Sequence, residues 1–556
     1  MTAGPSVQNL KENVLKLCRS VACSNDIVAA CLYGSQAYGY PNGKGCINVL
    51  LVLGKSRFGL KFHAKSLGGI DTFILVVDQK TLEKDVKQGW LGEFIAEKIT
   101  VPYEPIVNEE YLKLQEVITK KRIVWELLEN IVLEYPELSY EILIKIEYFI
   151  FEVMRRRARL FPLMVPSYLN MLRDDLKERN VESMMKGYVK ALDELSKEGW
   201  ISSTDGLFRI KPNFIDAVKC RKPRIPIFFK AFQRMALYNI LSIFPSMMVL
   251  LIHEEAFTKA QLEVKPEGLS FELEDPKKHL IMQTPFGFVT LSDKTTIEDF
   301  ARKNVQSGKA LDFKIREIGG VLNDVYILSF YRAYKEQKVL VKKFRDWYGI
   351  KWFPLTLWAL GTKTFAVLGR SRLEREVATN QFLHSQGILV PKILYVSSKQ
   401  RLIFEDFVEG ENLIGIIKQI SSSEKEFSLM RDVGKEVAKV HKLGLALGDC
   451  KPENILVAGD RKIWFVDLEQ GTRNGNQEWD IAEFLYYSGH YFSPLSPTEP
   501  AELIAREFIS GYLEAGGKKD LIRKAGSTRY TKVFSIFTPP HILIAISNLC
   551  KKMGAS

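Results

Sequence analysis

The stretch LALGDCKPENILVAGDRKIWFVDLEQG, residues 445–471, constrains the fold more than any other part of this chain. It sets Asp449, Lys451 and Asn454 on one short loop. A run of apolar residues, read as a strand, then delivers Asp467 at its end. Carboxylate and amide oxygens are the ligands a hard cation such as magnesium selects, and a lysine among them suits a phosphate. Phosphoryl transfer asks a protein mainly for position and charge neutralisation. It needs a carboxylate at the attacking hydroxyl, metal ligands, a cation on the nucleotide phosphates and a loop over them.

The remaining parts are found upstream and just downstream, in order. EIGGVLNDVYIL carries Gly319 and Gly320, and VLVKKFR is a strand with Lys342 and Lys343. Strand alternation puts those two lysines on opposite faces. Counting back from Phe344-Arg345 favours Lys342. SRLEREVATNQFLHSQGI reads as a helix carrying Glu376, IFEDFVEGENL carries Glu405 and Phe407, and EWDIAEFLYY carries Asp480. Together these features resemble the atypical eukaryotic-like protein kinases of the Bud32 and RIO type. The resemblance implies Asp449 as catalytic acid, Lys451 beside the transferred phosphate, and Asn454 and Asp467 as ligands of Mg2+. It implies Lys342, braced by Glu376, on the phosphates of ATP, with Gly319 and Gly320 in the covering loop. Backbone groups of Glu405 and Phe407 would meet adenine, and Asp480 would brace the catalytic loop.

The departures bear on the acceptor. Leu447-Gly448 stands where His-Arg is usual, only two glycines mark the phosphate loop, and no Ala-Pro-Glu signature follows Asp467. The expected activity is Ser/Thr protein phosphorylation or kinase-like ATPase action within an RNA-processing assembly. A small-molecule hydroxyl kinase of the aminoglycoside or choline type and a non-catalytic, nucleotide-gated scaffold on RNA or protein are the alternatives.

At 556 residues the chain exceeds one ordinary core, and three or four domains are expected. Its net charge of +12 fits a solvated basic surface or a phosphate-rich partner such as RNA. Seven scattered cysteines without CxxC spacing argue against a zinc site or a disulfide framework, and with the lack of a signal-peptide core they suggest the cytoplasm. MALYNILSIFPSMMVLLI, Met235 to Ile252, is uncharged and near the minimum span length, but its polar residues and Pro245 favour a buried helical pair over a membrane segment.

Residues 1–125 alternate helical and strand-like runs. CLYGSQAYGYPNGKGCINVLLVL, with Gly34-Ser35 and Gly39, resembles the nucleotidyltransferase superfamily. Cys46 and Asn48 fall where that family has paired acids, and only Asp71 matches a carboxylate. Two-metal chemistry needs the pair, so an inactive domain is expected. Residues 126–225 read as helices followed by a hairpin, WISSTDGLFRI, which resembles a winged helix, and 226–310 as a connector. The kinase-like domain is expected at 311–556, first strands and then helices. The fold class is thus multidomain α/β and α+β: a nucleotidyltransferase-like domain, a helical and winged-helix-like middle, and a two-lobed kinase-like domain.

Overall fold

The computed structural model describes residues 7–39, 46–55, 59–160, 165–221, 241, 273–304, 313–319, 323–332, 335–346, 365–419, 424–459 and 461–555. Gly320 and, apart from Leu241, the stretch Met235 to Ile252 lie outside the described residues. The chain forms two compact units: Met1–Glu134 with Leu143–Leu280, and Tyr135–Ile142 with Ile281–Ser556.

In the first unit, β1 (Ile27–Tyr33), β2 (Ile47–Leu53), β3 (Leu60–Leu67), β4 (Ile70–Asp78) and β5 (Tyr103–Val107) form a mixed sheet of order β3-β4-β2-β1-β5. β2 and β4 run parallel, with Ile47 opposite Thr72. The apolar run Val49–Leu53 of β2 has a simple cause, since both its faces are covered. Val49 and Leu51 pack with Val14 and Cys18 of α1 (Val7–Ala22), whereas Leu50 and Val52 pack with Leu82 and Val86 of a helix at Gln79–Gln88. Gly34, at φ 81°, turns the chain from β1 into the short helix Ser35–Tyr38. Helices follow at Glu109–Glu134, Glu147–Leu160 and Lys177–Lys197. A hairpin then forms between β7 (Ile201–Thr204) and β8 (Leu207–Ile210), and β8 also pairs with β6 (Leu143–Ile144). Asp205 and Gly206 both take positive φ at the turn, as a two-residue hairpin of this hand requires.

After Tyr135–Ile142 the second unit resumes within a hairpin of β9 (Leu280–Thr284) and β10 (Gly287–Thr290), followed by α2 (Ile297–Asn304). An antiparallel sheet follows, built from β11 (Phe313–Glu317), β12 (Asn323–Arg332), β13 (Lys335–Phe344), β14 (Ile393–Ser397) and β15 (Leu402–Asp406) in the order β11-β12-β13-β15-β14. Although residues 281–304 lie in the stretch expected as a connector, Phe300 of α2 stacks 4.1 Å from Phe404 of β15, inside the core of this sheet. Between β13 and β14 runs α3 (Gly369–Ser385).

Helices dominate the remainder: α4 (Glu424–Lys442), α5 (Gln477–His490), α6 (Glu499–Glu514) and α7 (Pro540–Ala555), sharing one apolar core. α4 and α6 meet at glycines. A Cβ on Gly434 would collide with the carbonyl of Phe508, and one on Gly511 with that of Arg431. Short pairs β16 (Glu411–Asn412), β17 (Leu445–Ala446), β18 (Ile455–Val457), β19 (Ile463–Phe465) and β20 (Thr472–Arg473) frame the loops between these helices. Among the described residues no helix is long and apolar enough to cross a membrane.

Candidate active site

Lys342 lies on β13 opposite Ile403, and Glu405 follows Ile403 by two positions on β15, so both side chains leave the same face of the sheet. Lys342 is buried, while Lys343 points the other way and is exposed. The Lys342 ammonium is 2.9 Å from Oε1 of Glu376 on α3, 3.5 Å from Oε2 of Glu405 and 3.9 Å from Oδ1 of Asp467. One cation thus faces three carboxylates. Burial alone would lower the lysine's pKa, but Glu376, Glu405 and Asp467 outweigh it and hold the ammonium well above its ordinary value. Burial raises Glu376, aided by Glu405 and Asp467 and opposed by Lys342.

Glu405 therefore meets the site by its side chain. Its main chain sits inside the sheet, paired with Leu340 on one side and Ile393 on the other. Neither Glu405 oxygen, nor Oε2 of Glu376, nor Oδ1 of Asp467 has a hydrogen-bond partner among the described residues. Phe407 lies just beyond β15 and borders a cavity of about 530 Å³ with Lys338, Ile388, Val408 and Trp464. Neither Lys342 nor Asp467 lines that cavity. Gly319, at φ 86°, follows β11 with open space where a Cβ would be.

The loop after β17 is fixed from behind. Asp480 is fully buried on α5, and its two oxygens accept from the backbone N–H groups of Leu447 at 2.6 Å and Gly448 at 2.7 Å. One turn along, Glu483 accepts from the N–H of Cys450 at 2.8 Å and the indole N–H of Trp479 at 2.9 Å. The loop is thereby pinned at both sides of Asp449. Asp449 is 2.8 Å from the Lys451 ammonium and accepts from the Asn454 amide at 3.0 Å. Burial would lower Lys451, but Asp449 and Glu483 more than offset it and keep the lysine charged. The N–H of Val466 donates to the carbonyl of Asn454 at 2.9 Å, tying the strand that carries Asp467 to this loop. Asp467 itself is left-handed, at φ 60°, a conformation that aspartate tolerates better than most residues.

A further layer has no counterpart in the sequence motifs. Arg372 of α3 is fully buried and donates to both oxygens of Glu469, at 2.8 and 2.7 Å, and to Oδ1 of Asn323 at 2.7 Å. Glu469 lies two residues past Asp467. Burial and the charge of Asp467 raise its carboxyl, while Arg372 and Asn323 pull it down. His441 stands 3.0 Å from Asp480 and also goes unmarked in the motifs. A buried arginine one turn before Glu376 was visible only as one of several arginines in a charged helix.

A strand-rich lobe with a buried lysine–glutamate pair, followed by a helical lobe presenting an Asp-x-Lys-Pro-x-Asn loop, defines a kinase-type domain. Residues 333–486 match the family described as the lipopolysaccharide kinase (Kdo/WaaP) family. The chain is 27% identical over 101 residues to the KEOPS complex subunit Bud32 of Pyrococcus abyssi, covering 18% of this chain and 45% of that protein. It is 28% identical over 160 residues to a probable serine/threonine-protein kinase BUD32 homolog of Archaeoglobus fulgidus, covering 28% of this chain and 73% of that one. With the 3-deoxy-D-manno-octulosonic acid kinase of Vibrio vulnificus it shares 25% identity over 153 residues, 28% of this chain and 60% of the other. The chain thus spans less than half the length of its Pyrococcus relative. Its C-terminal part matches a kinase family and is similar to proteins named as Bud32 kinases.

Proposed function

We propose that the second unit transfers the γ-phosphoryl group of ATP to a hydroxyl. The observation that carries this reading is the buried Lys342–Glu376 pair, with Asp467 at 3.9 Å from the same ammonium. Lys342 positions the nucleotide phosphates and Glu376 holds Lys342 in place. Asp449 orients the acceptor hydroxyl and takes its proton, and Lys451 offsets charge on the moving group. Gly319 and Gly320 cover the phosphates, and Phe407 flanks the base. Asn454 and Asp467 offer an amide and a carboxylate oxygen, a donor set that fits Mg2+, and Oδ1 of Asp467 has no other hydrogen-bond partner among the described residues. Mg2+ held by these two residues would supply positive charge to neutralise the phosphates. No group of three His, Cys, Asp or Glu side chains forms a metal site among the described residues. One amide and one carboxylate do not make such a group, which needs three or more His, Cys, Asp or Glu side chains.

The acceptor we favour is a protein serine or threonine, with kinase-like ATPase action inside an RNA-processing assembly as its close variant. Support comes from relatives named as KEOPS or EKC/KEOPS complex subunits. A small-molecule hydroxyl is the second reading, favoured by the relative named as a 3-deoxy-D-manno-octulosonic acid kinase. We read residues 1–125 as a degenerate nucleotidyltransferase-like domain, in which Cys46 and Asn48 replace the metal-binding acids, and the β7–β8 hairpin as part of a winged-helix-like module open to RNA or protein. Free cysteines suit a cytoplasmic protein.

Purified full chain with labelled ATP and magnesium tests the proposal, comparing wild type with Asp449→Ala and Asp467→Ala. Label transfer or ATP turnover lost in both variants supports it. ATP binding without transfer or hydrolysis, in the presence of protein and sugar acceptors, refutes it.

A further inference from the structure

The segment Tyr135–Ile142 belongs by its contacts to the second unit, although the chain returns to the first unit on either side of it. Tyr135, Leu138, Tyr140 and Ile142 are all buried. The guanidinium of Arg370, in the first turn of α3, lies 4.5 Å from the centre of the Tyr135 ring. Burial lowers the pKa of Arg375, the residue next to Glu376, and the charge of Glu137 opposes this only in part. Arg473 lies 4.2 Å from the Tyr140 ring and 3.9 Å from the ring of Phe382 on α3, with Glu141 3.6 Å away.

Arg473 is also a residue of β20, where it pairs with Leu445 of β17, the strand that leads straight into the loop of Asp449. Its near neighbour Gly471 lies flat on α3, since a Cβ there would come within 2.5 Å of the Thr379 hydroxyl. One arginine thus joins three parts: the segment, the helix that carries Glu376, and the strand pair behind the catalytic loop. Glu376 lies three residues before Thr379 on α3, hence beside it on the helix surface, and meets Lys342 at 2.9 Å.

We infer that Tyr135–Ile142 is a positioning element of the phosphotransfer site, which holds α3 through Arg370 and Arg473 so that Glu376 stays on Lys342. The inference rests on the reading of Lys342 and Glu376 as the nucleotide-phosphate pair. Its residues act through others and touch no reacting atom. The first half of the chain thereby supplies a part that the matched region, residues 333–486, does not contain.

The test uses the full chain and measures ATP affinity and turnover in wild type, Lys342→Met, Glu376→Gln, Tyr140→Phe, Tyr140→Ala, Glu141→Gln and Arg473→Lys. Removing one cation–ring contact at a partly buried site should lower ATP affinity or turnover roughly 5- to 30-fold in Tyr140→Ala. Tyr140→Phe keeps the ring and should restore wild-type values. Glu141→Gln removes only the outlying charge 3.6 Å from Arg473, and Arg473→Lys keeps a cation there, so both should show smaller losses while remaining folded, and the test stands even where Tyr140→Ala does not fold. In the Glu376→Gln background, Tyr140→Ala should cause no further loss of ATP affinity, because the pair it supports is already gone. A purely structural segment gives the opposite result: equal, additive losses in both backgrounds, or folded variants with wild-type ATP affinity and turnover. Either overturns the inference. If Lys342→Met binds ATP as wild type does, the reading of the site fails and the inference falls with it.

Discussion

Breaking the Arg372–Glu469 pair should loosen α3 by a measurable and predictable amount. Arg372 is fully buried, and its bonds to Glu469 and to the carbonyl of Arg345 at 3.0 Å leave it no route to solvent. In Arg372→Met the Glu469 carboxylate keeps, among the described residues, only the Asn323 amide, at 2.7 Å. Removing one partner of a buried ion pair costs about 3–5 kcal/mol, chiefly through the charge left behind. Glu469→Gln should cost a similar amount by stranding the guanidinium. The double variant leaves neither charge, so most of the loss returns, and a coupling of about 2 kcal/mol or more is expected. Hydrogen exchange of α3 amides reads the local opening free energy, which suits a chain of two units better than one global melt. A loss below about 1 kcal/mol in Arg372→Met, or a double variant equal to the sum of the singles, would refute the reasoning.

Three further outcomes are expected. Asp480→Asn leaves one acceptor for the two buried N–H groups of Leu447 and Gly448. An unpaired buried donor costs about 1–3 kcal/mol, so exchange of those amides should accelerate about 10- to 100-fold, and unchanged rates would show that the loop is held elsewhere. Gly511→Ala drives a Cβ into the carbonyl of Arg431, and overpacking of this kind should lower stability by about 1–3 kcal/mol, where a helical Gly→Ala with open space would raise it; calorimetry decides the sign. In the first unit, burial works against ionised Glu93, but Arg122 and Arg157 outweigh it and bring its pKa to about 2. The folded value lies below the unfolded one, so its contribution is complete above about pH 4.5 and fades as pH falls towards 2. Relative to Glu93→Gln, wild type should therefore lose about 3 kcal/mol across that window in acid-unfolding curves, and parallel curves would contradict it.

What could be read from sequence follows the range of the interactions. Asp449, Lys451 and Asn454 lie within six residues, and their mutual bonds need only one loop, so their grouping was legible. The hairpin at Asp205-Gly206 was legible for the same reason, because turn chemistry is local. Alternation along a single strand put Lys342 and Lys343 on opposite faces, and the count back from Phe344-Arg345 chose between them. Glu405 could not be placed that way, because its facing depends on the register of β15 against β13. Phe300 and Tyr140 were further out of reach. Their partners, Phe404 and Arg473, lie far along the chain, and nothing in a stretch of mixed helical and turn signals marks the surface it will cover. The Arg372–Glu469 pair is hidden differently: charged residues on a helix ordinarily face water, and burial of both partners is a property of the assembled lobe.

The split origin of the second unit also sets an order of events during synthesis. At about 5–20 residues per second, the interval between making Tyr140 and making Arg473 is roughly 15–70 s. For roughly the first 10–50 s of that interval, until α3 has been made, Tyr135, Leu138, Tyr140 and Ile142 have no α3 to cover them, although the residues on both sides can already fold with the first unit. An eight-residue patch of aromatic and aliphatic side chains must wait exposed for its partner half. The ribosome therefore presents this surface first to whatever hydrophobic-segment binder is nearby, and the kinase lobe closes over it only when nearly the whole chain has emerged.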